Sequence, residues 1–348
     1  MTGRVYLDHN ATTPLRDEAR AAMLAAMDVV GNPSSVHSEG RAAKALIERA
    51  RGQVAEAIGA SGADVVFVSG ATEAAALACK GRELLGAEVE HDAVMGWIDP
   101  VLPVTPDGQV TVTAPERSVL QWANSETGVV QDLPQGLAVS DITQGVGRMP
   151  FAFSWSGIGM AFLSAHKFGG PKGVGALVFP QGTDVAAQIT GGGQEMGRRS
   201  GTENIIGIAG MGAAITAAMA DLDAGVWARV EELRNILETG IVSASKETIL
   251  VGNKSRRLPN TSCLLTPGWT GERQVMVMDL AGFAISAGSA CSSGKVRPSR
   301  VLQAMGFGET DAASAIRVSL GPQTTQEDVT RFVDVWTDKL ARHRTRHG

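Results

Sequence analysis

The feature that most restricts the fold of this chain is the alternation of short apolar runs with longer helical stretches. Runs such as VVFV, VLQWAN, GLAVSD, FAFSWS, AFLSAH and GALVF read as strands, and most close on polar or glycine-bearing turns. Helical periodicity fills much of the sequence around them. That order argues for an α/β chain in which a mainly parallel sheet is flanked by helices. In open sheets of this kind ligands bind just beyond the carboxyl ends of the strands, so the polar residues closing each run are the first candidates for chemistry.

Helix signals set the boundaries. TTPLRDEARAAMLAAM reads as a helix with Thr13 as its cap, Pro14 at the first position and acidic residues in the first turn. SEGRAAKALIERARGQVAEAIG places Ala43, Leu46, Ile47, Ala50, Val54, Ala57 and Ile58 at helical spacing and stops at Gly59. ENIIGIAGMGAAITAAMADL, WARVEELRNILETGIVSA and TQEDVTRFVDVWTDKLAR predict three more helices. The first of these holds the longest apolar stretch, and its glycines and alanines fit a buried core helix better than a bilayer span. Near residue 245 the pattern changes to short strands and helices. The predicted organisation is a large domain over 15–245, with 1–14 and 246–348 forming a smaller α+β domain.

Composition narrows the function classes. Apolar residues make up 44% and charged residues 19% of 348, which excludes a disordered chain and allows a large core. A net charge of −5 without a long basic run removes the electrostatic footprint of a nucleic-acid binder. The N-terminus MTGRVYLDHNATT has no apolar signal core, so a cytoplasmic protein with no membrane partner is expected. Cys79, Cys263 and Cys291 are spaced too widely for a disulfide framework or a zinc site, and no metal is expected. Cys79, in an alanine-rich helix, and Cys263, in NTSCLLT, read as core residues. Cys291, in SAGSACSSG, has no bulky apolar neighbour to bury it.

Three stretches carry chemistry. In FLSAHKFGGPKGVGALVF, Lys167 follows a strand and precedes a glycine-rich turn, with Ser164 and His166 beside it. A partly desolvated lysine near other cations loses its proton readily enough to form a Schiff base, although a lysine so placed is, taken alone, more often an ordinary surface residue. In VSDITQ, Asp141 ends a strand with Gln144 three residues on. An acid there can face the protonated ring nitrogen of pyridoxal phosphate bound through a lysine, or simply cap a helix. In DVVFVSGATEAAALACKG a strand turns through Ser69 and Gly70 into a helix, which makes Gly70, Ala71 and Thr72 donors for a phosphate. Neither this turn nor GGPKGVG has the spacing of a nucleotide P-loop.

The collinear series YLDHNATTPL, GNPSSVHSEGR, SGATEAAALACKG, EHDAV, NSETGVVQ, SDITQ, SAHKFGGPKGVGAL, GGGQEMGRRSGTEN, SAGSACSSG and AIRVSLG resembles the cysteine desulfurase family. These are pyridoxal-phosphate enzymes of the class V aminotransferase fold, a type I fold of such transferases. The form SAGSACSSG resembles the housekeeping and nitrogen-fixation branch. The resemblance implies that Lys167 is the Schiff-base lysine, that Asp141 pairs with the ring nitrogen, and that Gln144 bonds the phenolate oxygen. It assigns the phosphate to Thr72, the Ala71 amide, Ser164, His166, and Thr202 from the second subunit of a homodimer. His91 would stack on the ring and move protons; Arg317 would hold the substrate carboxylate, with Asn124 and Ser125 beside it. The implied reaction converts L-cysteine to L-alanine, leaving sulfur on Cys291 as a persulfide for a sulfur-acceptor or scaffold protein in iron-sulfur or other sulfur-product assembly. Two departures stand out: Ser125 occupies a place where the family pattern has a second asparagine, and the segments around His91 are short. They keep open a related lyase or transaminase, such as one acting on selenocysteine, and a cofactor-holding partner protein with little turnover.

Overall fold

Apolar strands buried on both faces and small-residue helices pack here into cores on either face of one sheet and beside a second. The structure, a computed structural model, describes residues 3–288 and 298–347. Cys291 lies outside the described residues. The chain begins β1 (Val5–Tyr6), α1 (Asp17–Met27), α2 (Ser38–Ala57), β2 (Ala63–Val68), α3 (Ala71–Cys79), β3 (Leu84–Leu85), α4 (Asp92–Met95) and β4 (Ile98–Asp99). It continues through β5 (Val119–Gln121), β6 (Val139–Asp141), α5 (Phe153–Ser156), β7 (Met160–Ser164), β8 (Gly175–Pro180), α6 (Ile205–Asp223) and α7 (Val226–Ala244). The last part is β9 (Ile249–Leu250), β10 (Thr261–Leu265), α8 (Gly271–Leu280), β11 (Phe283–Ala284), β12 (Ser286–Ala287), α9 (Arg300–Ala304), α10 (Glu309–Ala312), β13 (Ala315–Ser319) and α11 (Gln326–His347).

The larger sheet has the order β2-β8-β7-β6-β5. It is flanked by helices as expected, and it is mixed. β5, β6 and β7 run parallel, whereas β8 returns antiparallel to β7 and pairs antiparallel with β2. The segment 165–174 explains the reversal: it holds Gly169 and Gly173 at φ 88° and 79°, and it is shorter than the roughly dozen-residue crossover a parallel return needs. Alternate side chains leave the sheet on opposite faces. Val65, Phe67, Ala161 and Leu163 join a core with α1, α2 and α6, while Val66, Val68, Met160 and Phe162 join one with α3. On this arrangement the carboxyl ends of β2, β5, β6 and β7 gather at one edge.

By length and composition α6 is apolar enough to cross a membrane; in the fold it is a core helix packed on α1 and α2. Its glycines permit the approach, since a Cβ on Gly212 would lie 2.9 Å from Ala50 Cα. The second sheet, β12-β13-β10-β9, is antiparallel, and β1 pairs with β11 beside it. Leu7, Trp227, Leu237, Ile241, Leu264, Phe283, Ile316, Phe332 and Trp336 share its core, which thus takes in one face of α7.

Two local expectations are corrected. FAFSWS is not a strand but contains the short helix α5. Phe153 and Ser154 donate their amides to Ile58 O and Gly59 O at the end of α2, so no sheet neighbour receives them. α1 starts at Asp17, not beside Thr13. The Thr13 amide donates to His166 O (2.8 Å) and its hydroxyl to Lys167 O (2.9 Å), which holds this stretch extended along the segment after β7. Cys79 and Cys263 are buried, and burial pushes both thiols up to about 12.

Candidate active site

Lys167 ends a single 3-10 turn that follows β7, at the edge where the strand termini gather. The loop after β1 crosses in front of it. The amine donates to Asn10 O (2.6 Å) and Ala11 O (3.0 Å). Burial pushes its pKa down to about 7, the Arg317 and Arg148 guanidiniums push the same way, and Asp141 and Asp8 oppose them. An amine so placed is available in its neutral form near neutral pH. His166, lowered to about 4 by burial and by Lys167 and Lys172, touches Thr12 Oγ1 through Nδ1 (3.2 Å).

Asp141 closes β6 and is buried. β6 pairs in parallel register with β7, so Asp141 and the Lys167 turn leave adjacent strands at the same end. Its Oδ1 accepts the Thr143 amide (2.9 Å). Gln144 donates from Nε2 to Asn10 O (3.0 Å) and accepts at Oε1 from Arg148 (2.8 Å). Thr143 Oγ1 is buried without a hydrogen-bond partner among the described residues.

The turn from β2 into α3 passes close to the end of β7. A Cβ on Gly70 would lie 3.8 Å from Ser164 Oγ, and one on Gly175 would lie 2.8 Å from Gly70 Cα. Only glycine at 175 allows this approach. Gly70 caps α3 with no side chain, which leaves the first amides of the helix, at Ala71 and Thr72, facing out with the positive end of its dipole. Ala71 is half-buried and Thr72 exposed. Glu73 accepts from the Ser69 amide (2.8 Å) and pairs with Arg199 (2.9 Å), tying the loop that carries Thr202 to the same helix terminus. Thr202 itself is exposed.

Arg317, on β13, approaches from the second sheet. Its Nη2 donates to Asp8 Oδ1 (2.8 Å) and its Nη1 to Ser125 O (3.1 Å), while Nε is buried without a partner among the described residues. Ser125 therefore contributes its carbonyl to the site, and its own side chain is half-buried. Asn124 is different. Its Oδ1 accepts from the Glu126 and Thr127 amides (both 2.9 Å) and its Nδ2 donates to Val89 O (3.0 Å). Both ends of this buried carboxamide thus hold the turn, alongside the substrate contact expected of it. His91 is exposed at the start of α4; its Nδ1 accepts the Ala93 amide (3.1 Å), which puts the ring proton on Nε2.

Sequence reasoning passed over four residues. Asn10 is the hub: its carbonyl accepts from Lys167 and Gln144, its Oδ1 from Arg148 and Asn260, and its Nδ2 donates to Ser125 O and Thr261 Oγ1. Asp8 pairs with Arg317. Arg148 lies under the Lys167 turn, and Glu126 accepts the Ser299 hydroxyl (2.6 Å). The dense polar run DHNATT directly after a strand was the available signal for Asp8 and Asn10. The arrangement can hold a ligand with a carbonyl to meet the amine, a protonated ring nitrogen facing Asp141, and an anionic group at the start of α3.

Comparison with known proteins gives one family. The class-V aminotransferase family matches residues 5–99 and 102–332. A cysteine desulfurase of Cereibacter sphaeroides is 40% identical, covering 95% of this chain and 94% of the relative. The cysteine desulfurase IscS of Dictyoglomus turgidum is 36% identical over 99% of this chain and 96% of its own length. Among solved structures, a NifS-like protein from Rickettsia africae superposes with a TM-score of 0.87 at 31% identity, covering 96% of this chain and 99% of that one.

Proposed function

The chain belongs to the cysteine desulfurase family of class-V aminotransferases, and from that premise we propose that it works on L-cysteine with pyridoxal phosphate held at the Lys167 site. The observation that carries this reading is the Lys167 amine, held by two carbonyls and pushed down to about 7, beside Asp141 on the adjoining strand. The donor set fits the cofactor. Ala71, Thr72, Ser164 and His166 would hold its phosphate, Asp141 its ring nitrogen and Gln144 its phenolate oxygen, and the unpartnered Thr143 Oγ1 and Arg317 Nε leave polar groups for ligands. When bound, the cofactor supplies an electron sink for bonds around the substrate Cα.

The protein's own groups then divide the work. Arg317 holds the substrate carboxylate through its free Nε edge, with Asp8 keeping the guanidinium plane fixed. As a neutral amine Lys167 would take the Cα proton, and His91 Nε2 would carry a proton at the outer side of the site. Cys291 as a thiolate attacks the substrate Sγ: an S–S bond forms, the Cβ–S bond breaks with its electron pair left on carbon, Cβ takes a proton through His91 and Cα regains the one held by Lys167, so alanine leaves while the protein keeps the persulfide. That sulfur passes to an acceptor or scaffold protein. A homodimer would bring the partner copy's Thr202 to the phosphate, and three widely spaced cysteines suit a reducing, cytoplasmic setting.

The test is alanine released from L-cysteine by the purified protein, followed beside its visible absorbance. Wild type should show both, and Cys291→Ser should keep the colour and lose the alanine. Colour without alanine in the wild type would overturn the proposal.

A further inference from the structure

Arg148 is 3% exposed and has no carboxylate within ion-pair distance among the described residues. Its hydrogen-bond partners are neutral. Nη1 donates to Asn10 Oδ1 (2.8 Å) and Gln144 Oε1 (2.8 Å), and Nη2 to His9 O (3.3 Å) and Lys167 O (3.2 Å). The guanidinium carbon also lies 5.9 Å from the centre of the Trp227 ring. A buried cation without a counter-charge is unfavourable by several kcal/mol unless something else requires it. The other buried arginines have carboxylates: Arg317 meets Asp8 at 2.8 Å and Arg234 meets Glu231 at 3.0 Å.

The neighbours indicate what requires it. A guanidinium has only donors, so the carboxamides of Asn10 and Gln144 must turn their oxygens toward it and their amino groups away. The amino group of Gln144 then points at Asn10 O, the atom that also accepts the Lys167 amine. We propose, on the reading of Lys167 and Gln144 given above, that Arg148 is a positioning residue: its fork orients both carboxamides, and its unpaired charge sets the field around the Lys167 amine. The charged groups around that amine are Arg148 from the segment after β6, Arg317 from β13, Asp141 from β6, Asp8 after β1 and His166 on its own turn. Removing the Arg148 charge leaves the two aspartates opposed by one arginine, which favours the ammonium.

The readout is competitive labelling of Lys167 with acetic anhydride in the cofactor-free full chain, followed by peptide mass spectrometry across the pH range. Arg148→Met should move the labelling midpoint upward by about one pH unit, an approximately tenfold fall in labelling below the midpoint. Arg148→Lys, which keeps the charge, should leave the midpoint in place. A folded Arg148→Met protein with the wild-type midpoint would overturn the proposal. Should that variant fail to fold, Arg148→Gln, which can still donate to the carbonyls, must show the same upward move, and its absence overturns the proposal equally. A wild-type Lys167 that labels like an ordinary lysine would instead remove the reading of Lys167 itself, and with it this one.

Discussion

Two clusters of buried ionisable groups flank the turn at Ser125, and burial acts on them in opposite directions. On one side stand Lys167, Arg148 and Arg317, gathered on the carbonyls of Asn10, Ala11 and Ser125. On the other stand Glu90 and Glu126. Burial drives the Lys167 amine down to about 7, whereas it pushes Glu90 up to about 8 and Glu126 up to about 7. Near neutral pH the Lys167 amine is thereby able to shed its proton, while Glu90 and Glu126 are able to keep theirs. Their partners differ as well. The cations meet main-chain carbonyls together with Asp8 and the carboxamide oxygens of Asn10 and Gln144, and Arg317 Nε has no partner among the described residues, while the acids meet the frame: Glu90 accepts the Gln121 amide, and Glu126 accepts the Ser299 hydroxyl and would lie 3.5 Å from a Cβ on Gly288. Gly288 and Ser299 bracket the segment that carries Cys291. On the acidic side, Glu126 therefore meets both residues that bracket the cysteine segment.

The strongest way to break this contrast is to delete its central amine. Lys167→Ala should lower alanine formation on the order of a thousandfold or more while far-UV circular dichroism stays that of the wild type. Retained turnover would remove the cationic cluster from the chemistry. Next comes the fork on β13. Arg317→Lys keeps the charge and loses planar two-point contact, and it should raise the KM for L-cysteine by about ten- to a hundredfold with a smaller change in kcat.

The acidic side is sharpened by pH. Glu126 has a pKa raised from 4.5 to about 7, so the folded chain keeps a proton that the unfolded chain has lost, and stability from this group declines as pH rises through that window. Glu126→Gln should remove the decline, making the variant gain on the wild type by about 1–2 kcal/mol between pH 5 and 8 in denaturant unfolding. Lys167 has the reverse sign. Its pKa falls from 10.5 to about 7, so its contribution grows as pH rises through that window, and Lys167→Met should flatten the slope there. Equal slopes in both variants would mean the two clusters are not distinct. The smallest effect belongs to Ser125→Asn, which restores the carboxamide of the family pattern at a half-buried position and should lower the KM for L-cysteine by about two- to fivefold, a fraction of one hydrogen bond.

Much of the frame was legible because its signals are local. The periodicity of SEGRAAKALIERARGQVAEAIG and the left-handed stop at Gly59 recur as α2 and its end, and the strand-turn-helix around Gly70 is present as read. FAFSWS misled because alternating aromatics mimic a strand; the amides of Phe153 and Ser154 were already claimed by the end of α2. Thr13 has the chemistry of a cap but meets the carbonyl of Lys167 instead. Asn124 also fastens its own turn, which residue type alone did not show. In each of these cases the decisive partner is distant in sequence or belongs to the backbone, where residue type gives no hint.

By itself the sequence determined the alternation of elements, the small residues that let α6 approach α2, the lysine after a strand and the bare start of α3, because each depends on side-chain size, periodicity or backbone freedom within a few positions. Only the tertiary structure decided which charges face one another. Asn10, Arg148, Lys167 and Arg317 come from four separate stretches and meet through the crossing of the β1 loop between two sheets. The ionic form of a buried group follows from that meeting, since desolvation and Coulomb forces act through space and take no account of order along the chain.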